Sequence, residues 1–209
     1  ERLGVPATAC RSGAHWQWDG VDFRILAAAE GASRGNDRSC VLAVSGRFGS
    51  LLLTGDLTTR ADRSLIEQLP PLAQPRVLGV AHHGSRNATS EAFLDALRPR
   101  LGLVSAGFRN QFGHPHPELV ERFRVRAIKL ANTADRGYLH VDLGENPGLP
   151  EAGRDLRSAW WRVRGSQRAG AGDQSRAARC YHRPSAFPWR GGIHATKYLK
   201  EFLQVLEIL

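Results

Sequence analysis

A layered α/β fold built on a mixed sheet is the class this sequence predicts, and three observations predict it. The first fifty residues alternate apolar and polar side chains around turn-forming residues. The run Leu51–Leu53 is apolar without interruption, as a strand covered on both faces is. Beyond residue 56, strand-like and helix-like segments alternate, which is the pattern of helices packed on a sheet. The 209 residues, 42% hydrophobic, are enough to close one core of ordinary domain size.

Taken in order, "HWQWDGVDFRILAA" places Trp16, Trp18, Val21, Phe23 and Ile25 on an alternating pattern broken at Asp19-Gly20, which predicts a hairpin. "SCVLAVSG" and "SLLLTGD" follow as two strands joined by a tight turn around residues 47–49. In "LTTRADRSLIEQL", Leu65, Ile66 and Leu69 fall at helical spacing behind a threonine cap, and Pro70-Pro71 stops the helix. Strand "RVLGVA", helix "SEAFLDALRP", strand "LGLVSAG", helix "PELVERFRV" and strands "AIKLA" and "GYLHVDL" complete the alternation. Residues 165–194 are Gly, Ala, Arg and Ser rich and cannot bury enough surface to order themselves, so a disordered basic linker is expected there. Residues 195–209 regain helical periodicity through Leu199, Phe202, Leu203 and Leu206.

Net charge is +9, but residues 1–150 carry 18 basic against 15 acidic side chains, whereas residues 151–194 carry 9 against 3. Two thirds of the excess therefore belongs to residues 151–194, and the total says little about the folded part. No apolar run reaches the ~18–20 residues a membrane-spanning helix needs. The chain contains no methionine and opens on "ERLGVPATAC", so it is expected to be a piece of a longer polypeptide whose site is completed upstream. For Cys10 and Cys40, a bridge formed in an oxidising compartment and a pair of buried free thiols both stay open.

Four loop segments carry polar residues that strand packing does not demand. Asp56, directly after "LLLT", has the chemistry of a metal-binding or metal-bridging carboxylate; otherwise it only starts the next helix, for which Thr58 and Thr59 are alternative caps. His82 and His83 end the run "LGVA" before Gly84 and Ser85, and adjacent residues face opposite ways, so one imidazole is expected to serve as a ligand. "NQFGHPHP" presents Asn110, His114 and His116 between rigid prolines. "RGNDRSC" brings Asn36, Asp37 and Ser39 before a strand, where a plain Asx turn accounts for them.

Together, "LLLTGD", "VAHHGSRNATSEAFLDALRPR", "LVSAGFRNQFGHPHPELVERF" and "ANTADRGYLHV", in that order, resemble the C-terminal metallo-β-lactamase-like domain of the ComEC family of competence DNA-uptake channels. With "CRSGAHWQWDGVDFRIL" and "NDRSCVL" the resemblance covers about residues 10–164. It implies an αββα sandwich over residues 1–164 and a metal-dependent nuclease acting on single-stranded DNA during natural transformation. It implies Asp56 and His83, with His82 beside them, as metal residues for a pair of zinc or manganese ions, and no small-molecule cofactor. His114 and Ser85 are implied on the catalytic side, and Asn87, Asn110, Arg86, Thr133 and Asn36 near the substrate. The same resemblance implies a soluble domain on the extracytoplasmic side of an inner-membrane protein, working with that protein's channel portion.

The H-x-H-x-D-H type run of metallo-β-lactamase proteins is absent from these 209 residues. An N-terminally truncated sandwich is therefore expected, binding metal weakly or not at all and inactive alone. Two other classes remain open: a different hydrolase of the same fold, and a non-catalytic DNA-binding module using Arg34, Arg38, Arg86 and Arg109 on phosphates.

Overall fold

The structure is a computed structural model that describes residues 10–27, 35–74, 76–143 and 150–152. The chain divides after Val163 into two units, and all described residues belong to the first. The linker expected at 165–194 and the helix expected at 195–209 lie outside the described residues, as does Arg34.

Seven strands form one mixed sheet in sequential order: β1 (His15–Trp18), β2 (Val21–Ala27), β3 (Cys40–Gly46), β4 (Gly49–Leu53), β5 (Arg76–Gly79), β6 (Leu101–Val104) and β7 (Lys129–Asn132). The first four pair antiparallel, β1 with β2 and β3 with β4 through two-residue turns. At the β1–β2 turn Asp19 and Gly20 both take left-handed φ, 50° and 75°, the hairpin geometry that an Asp-Gly pair favours. From β4 to β7 pairing is parallel, and each connection needs a crossover. Those crossovers carry α1 (Thr59–Ile66), α2 (Glu91–Leu97) and α3 (Pro117–Val125). Since parallel crossovers are right-handed and the strands are added in one direction, successive helices fall on the same face.

That face holds the main core. Leu57, Ala61 and Leu65 around α1, Phe93, Leu94 and Leu97 of α2, and Leu119 and Phe123 of α3 pack with Val41, Ala43, Leu52, Leu78, Val80 and Val104 of the sheet. The opposite face is apolar too, with one cluster around Phe23, Leu42 and Val44 and another around Val77, Leu101 and Ala131. A sheet apolar on both sides is the pattern of a middle layer.

The strand predicted over "GYLHVDL" is shorter in the structure. Only β8 (Leu139–His140) pairs, with β9 (Glu151–Ala152), in a separate two-stranded sheet. Leu139, Val141 and Leu143 pack instead on the Val77–Leu101 cluster, so the alternation read there is the face of a segment laid against the sheet. The sequence reading also passed over a short helix, α4 (Thr133–Arg136), and 3-10 turns at residues 35–38 and 81–84. Among the described residues no helix is long and apolar enough to cross a membrane.

Candidate functional site

The loops that follow β4, β5, β6 and β7 all leave the carboxyl ends of parallel strands, where an α/β sheet gathers its loops at one edge. They carry Asp56, His82–Ser85, residues 105–116 and Thr133 respectively. Residues that read as separate motifs are thereby brought to one place.

His83 Nε2 lies 3.9 Å from Asp56 Oδ1, with both side chains about half exposed. The other ring nitrogen, Nδ1, is 2.8 Å from the carbonyl oxygen of Ser105, to which it donates. That bond selects the tautomer with a lone pair on Nε2, the nitrogen turned to the carboxylate. His82 turns elsewhere: the Asn36 amide donates to its ring at 3.2 Å. Asp56 and His83 thus form a two-donor pair suited to one edge of a divalent cation. Among the described residues no group of three or more His, Cys, Asp or Glu side chains is arranged to hold a metal ion.

The backbone of the histidine pair is strained. His82 and His83 both take left-handed φ, 48° and 55°, a conformation that costs a residue with a Cβ about 1–2 kcal/mol. Bonds from His82 N to the Gly55 carbonyl (3.0 Å) and from Ser85 N to the His82 carbonyl (2.9 Å) hold it there. Strain of this kind gathers at functional sites, where the surrounding structure over-determines it. We expect His82→Gly to raise stability by about 1 kcal/mol, a rise of about 2–4 °C in Tm, because glycine is at ease at this φ. A thermal melt checks this, and a lower Tm would show that the Asn36 contact outweighs the strain.

His114 sits on the third loop with its ring centroid 6.2 Å from that of His82. Burial first, and then the nearby His82, His83 and His116, hold its pKa below the usual imidazole value, so the ring is neutral at neutral pH. His116 does not join the cluster as a free imidazole: it is the N-cap of α3, and its Nδ1 accepts from Glu118 N at 3.2 Å, ahead of Pro117 at the first helical position.

The "RGNDRSC" loop does more than an Asx turn requires. Asp56 N donates to Ser39 Oγ at 2.9 Å, and Thr58 Oγ1 donates to Asp37 Oδ1 at 2.6 Å. This is why Thr58, although at the N-cap position of α1, makes no side-chain cap bond. Cys40, next in sequence to Ser39, is joined to Cys10 by a disulfide with Cα atoms 6.1 Å apart, which ties this loop to the chain ahead of β1.

Of the residues expected near substrate, Asn110 spends its side chain inside its own loop. Its amide donates to the carbonyls of Gly107 (3.0 Å) and His114 (2.7 Å), and its Oδ1 accepts from His114 N (2.9 Å). Thr133 Oγ1 accepts from Ala106 N and donates to Ala106 O, both at 2.9 Å, so it clamps the start of the loop after β6. Arg86 is ion-paired with Glu118 at 2.9 Å. Ser85 and Asn87 lie on the loop after the histidines, with the Asn87 carbonyl accepting from Thr59 N at 2.8 Å.

Two residues that hold this last loop were not read from the sequence. Arg122 of α3 donates to the carbonyls of Arg86 (3.0 Å), Ala88 (2.9 Å) and Thr89 (3.4 Å). Asp62 of α1, 2% exposed, accepts the backbone N–H of Ser90, and its burial raises its carboxyl pKa against the lowering effect of that bond. The available signal for Asp62 was a carboxylate three and four residues before Leu65 and Ile66, on the apolar side of α1.

Comparison with known proteins comes down on one side. Competence protein ComA of Neisseria gonorrhoeae is 39% identical over 130 residues, which cover 62% of this chain and 19% of that protein. The chain is similar to a segment of bacterial competence proteins. Recombination protein 2 of Haemophilus influenzae is 32% identical over 155 residues, 74% of this chain and 19% of that protein. ComE operon protein 3 of Bacillus subtilis is 31% identical over 138 residues, 65% and 18% of the two chains. The chain thus spans about a fifth of the length of these curated relatives. No protein-family model matches it.

Proposed function

We propose that this chain is the part of a competence-type DNA-uptake protein that forms one side of a metal-dependent phosphodiesterase site acting on single-stranded DNA. The observation that carries the reading is the Asp56–His83 pair, a carboxylate and a correctly tautomerised imidazole 3.9 Å apart at the carboxyl edge of the sheet. The similarity to competence proteins of which the matched segment is about a fifth supports DNA as the substrate class and a larger, membrane-associated parent as the working unit. The apolar second face of the sheet supports a further layer, as in a metallo-β-lactamase-like αββα sandwich. The Cys10–Cys40 bridge supports an oxidising, extracytoplasmic setting.

In this reading Asp56 and His83 hold one edge of a divalent cation, zinc or manganese, and the remaining ligands come from the parent's preceding segment. When bound, such an ion lowers the pKa of a coordinated water toward neutrality and offsets phosphate charge. The chain's own residues do the rest. Ser105 keeps Nε2 of His83 available, and Ser39 fixes the backbone that carries the carboxylate. His114, neutral at neutral pH, offers hydrogen bonding to a phosphate oxygen, and Ser85 and Asn87 line the same edge.

The test is a cleavage assay on labelled single-stranded DNA with the parent protein and added manganese. Asp56→Ala and His83→Ala are each expected to abolish metal-dependent cleavage while Asn110→Ala retains part of it. Full activity in Asp56→Ala removes the proposed site. For the chain by itself, weak metal binding and no appreciable cleavage are expected.

A further inference from the structure

Phe112 is the most exposed of the large hydrophobic side chains in the described residues, at 69%, and it belongs to the loop that carries His114. An aromatic ring left in water forgoes about 1.5–3 kcal/mol that burial would bring, so an exposed one on a built loop invites a reason. This loop is well built. Asn110 closes it by bonds to Gly107 and His114, and Gly113 N donates to the Asn110 carbonyl at 3.2 Å. The ring is therefore displayed on a stiff support.

Its placement relative to the candidate site is equally specific. The Phe112 ring stacks on His114 with centroids 5.7 Å apart and planes inclined by 28°. His114 is 6.2 Å from His82, and His82 is 6.4 Å from His83, whose Nε2 faces Asp56. A row of four rings thus runs from solvent to the carboxylate. On the same loop the Arg109 guanidinium lies over the Phe108 ring, 5.3 Å from its centroid, so the loop that bears Phe112 also carries a cation and a second partly exposed aromatic.

We infer that Phe112 is a base-stacking residue that seats an unpaired nucleobase next to the Asp56–His83 pair, with Arg109 on the adjoining phosphate. The inference rests on the nucleic-acid reading above and deepens it by naming the residue that holds an unpaired base. Aromatic platforms beside cations are how proteins hold single strands without regard to sequence, because every base offers a π face. A duplex keeps its base faces stacked internally and along its length presents none to Phe112. Selectivity for single strands then follows from one ring on the approach to the site.

The test uses the full chain and fluorescence anisotropy at low salt with three probes: a labelled thymidine oligonucleotide, an abasic strand of equal length, and a blunt duplex. Phe112→Ala is expected to weaken the thymidine strand about 5- to 100-fold and to leave the abasic strand unchanged. Phe112→Trp should restore binding to within about threefold of the original, and Trp18→Ala, an exposed aromatic on the first hairpin, should change nothing. The salt slope, which counts phosphates, should survive Phe112→Ala and fall by about one unit in Arg109→Ala. Equal binding by Phe112→Ala and the original chain, or an equal loss on the abasic strand, overturns the stacking role alone. Failure of the original chain to bind any of the three probes overturns it together with the nucleic-acid reading.

Discussion

Gly84→Ala is expected to push apart the two loops that make the site and to cost about 2–4 kcal/mol of stability. A Cβ on Gly84 would lie 2.7 Å from Cβ of Pro115, closer than real Cβ contacts come, and 3.0 Å from its Cα, tighter than most. Its φ of +82° adds the ordinary left-handed penalty for a side chain. Relief by movement is restricted, because the Gly84 carbonyl accepts from His116 N at 2.8 Å and His116 caps α3. Displacing Pro115 moves His114 away from His82, so the metal-dependent cleavage proposed for the parent should fall together with stability. Urea denaturation reads the stability change. In the double variant Gly84→Ala, Pro115→Gly the 2.7 Å contact is removed while the one to the Cα of residue 115 stays, so the cost of Gly84→Ala should fall, but not below the φ penalty of about 1–2 kcal/mol. Strict additivity would mean that the two loops are not in contact.

Phe123→Ala is expected to cost about 3–5 kcal/mol, the range for truncating a fully buried aromatic. The ring sits where β6 has no side chain: a Cβ on Gly102 would meet Phe123 Cε1 at 2.5 Å and Leu130 Cδ1 at 2.8 Å. Phe123 and Gly102 are therefore a matched pair, and α3 approaches the sheet as closely as it does because of that pairing. Gly102→Ala should be destabilising by about 1–3 kcal/mol in the original background and markedly less so beside Phe123→Ala, where the new methyl enters the space the ring leaves. A denaturation series on the two single variants and the double variant decides this. Loss of α3 would also release Arg122 from the carbonyls of residues 86, 88 and 89, so the loop after the histidines should loosen, read as faster amide exchange at Ala88.

Much of the architecture was legible because its signals are local. The hairpin follows from Asp19-Gly20, α2 from Ser90, whose side chain accepts from Phe93 N at 3.2 Å, and the parallel half of the sheet from strand and helix alternating at short intervals. The exception was "GYLHVDL", where alternation is shared by a paired strand and by a segment lying on a sheet, and periodicity has no means of telling them apart. His116 was misleading in a similar way, since a histidine between prolines reads as presented when it is capping a helix.

Asp56 and the histidine pair could be nominated from sequence, because a polar residue at the end of an apolar strand is visible as a break in pattern. Which imidazole turns to the carboxylate was decided by two left-handed residues in succession and by the Ser105 carbonyl, 22 residues further on. The roles of Ser39, Asp37, Asp62 and Arg122 depend on partners 17 to 36 residues away. Residue type and spacing by themselves thus determined the mixed α/β class and the strand ends at which the nominated polar residues lie. Their orientation, the loop that supports each and the row of rings leading out to Phe112 were decided only when crossovers brought separate strand ends to one edge. Hydrogen bonds between distant loops have no periodicity to be read in advance.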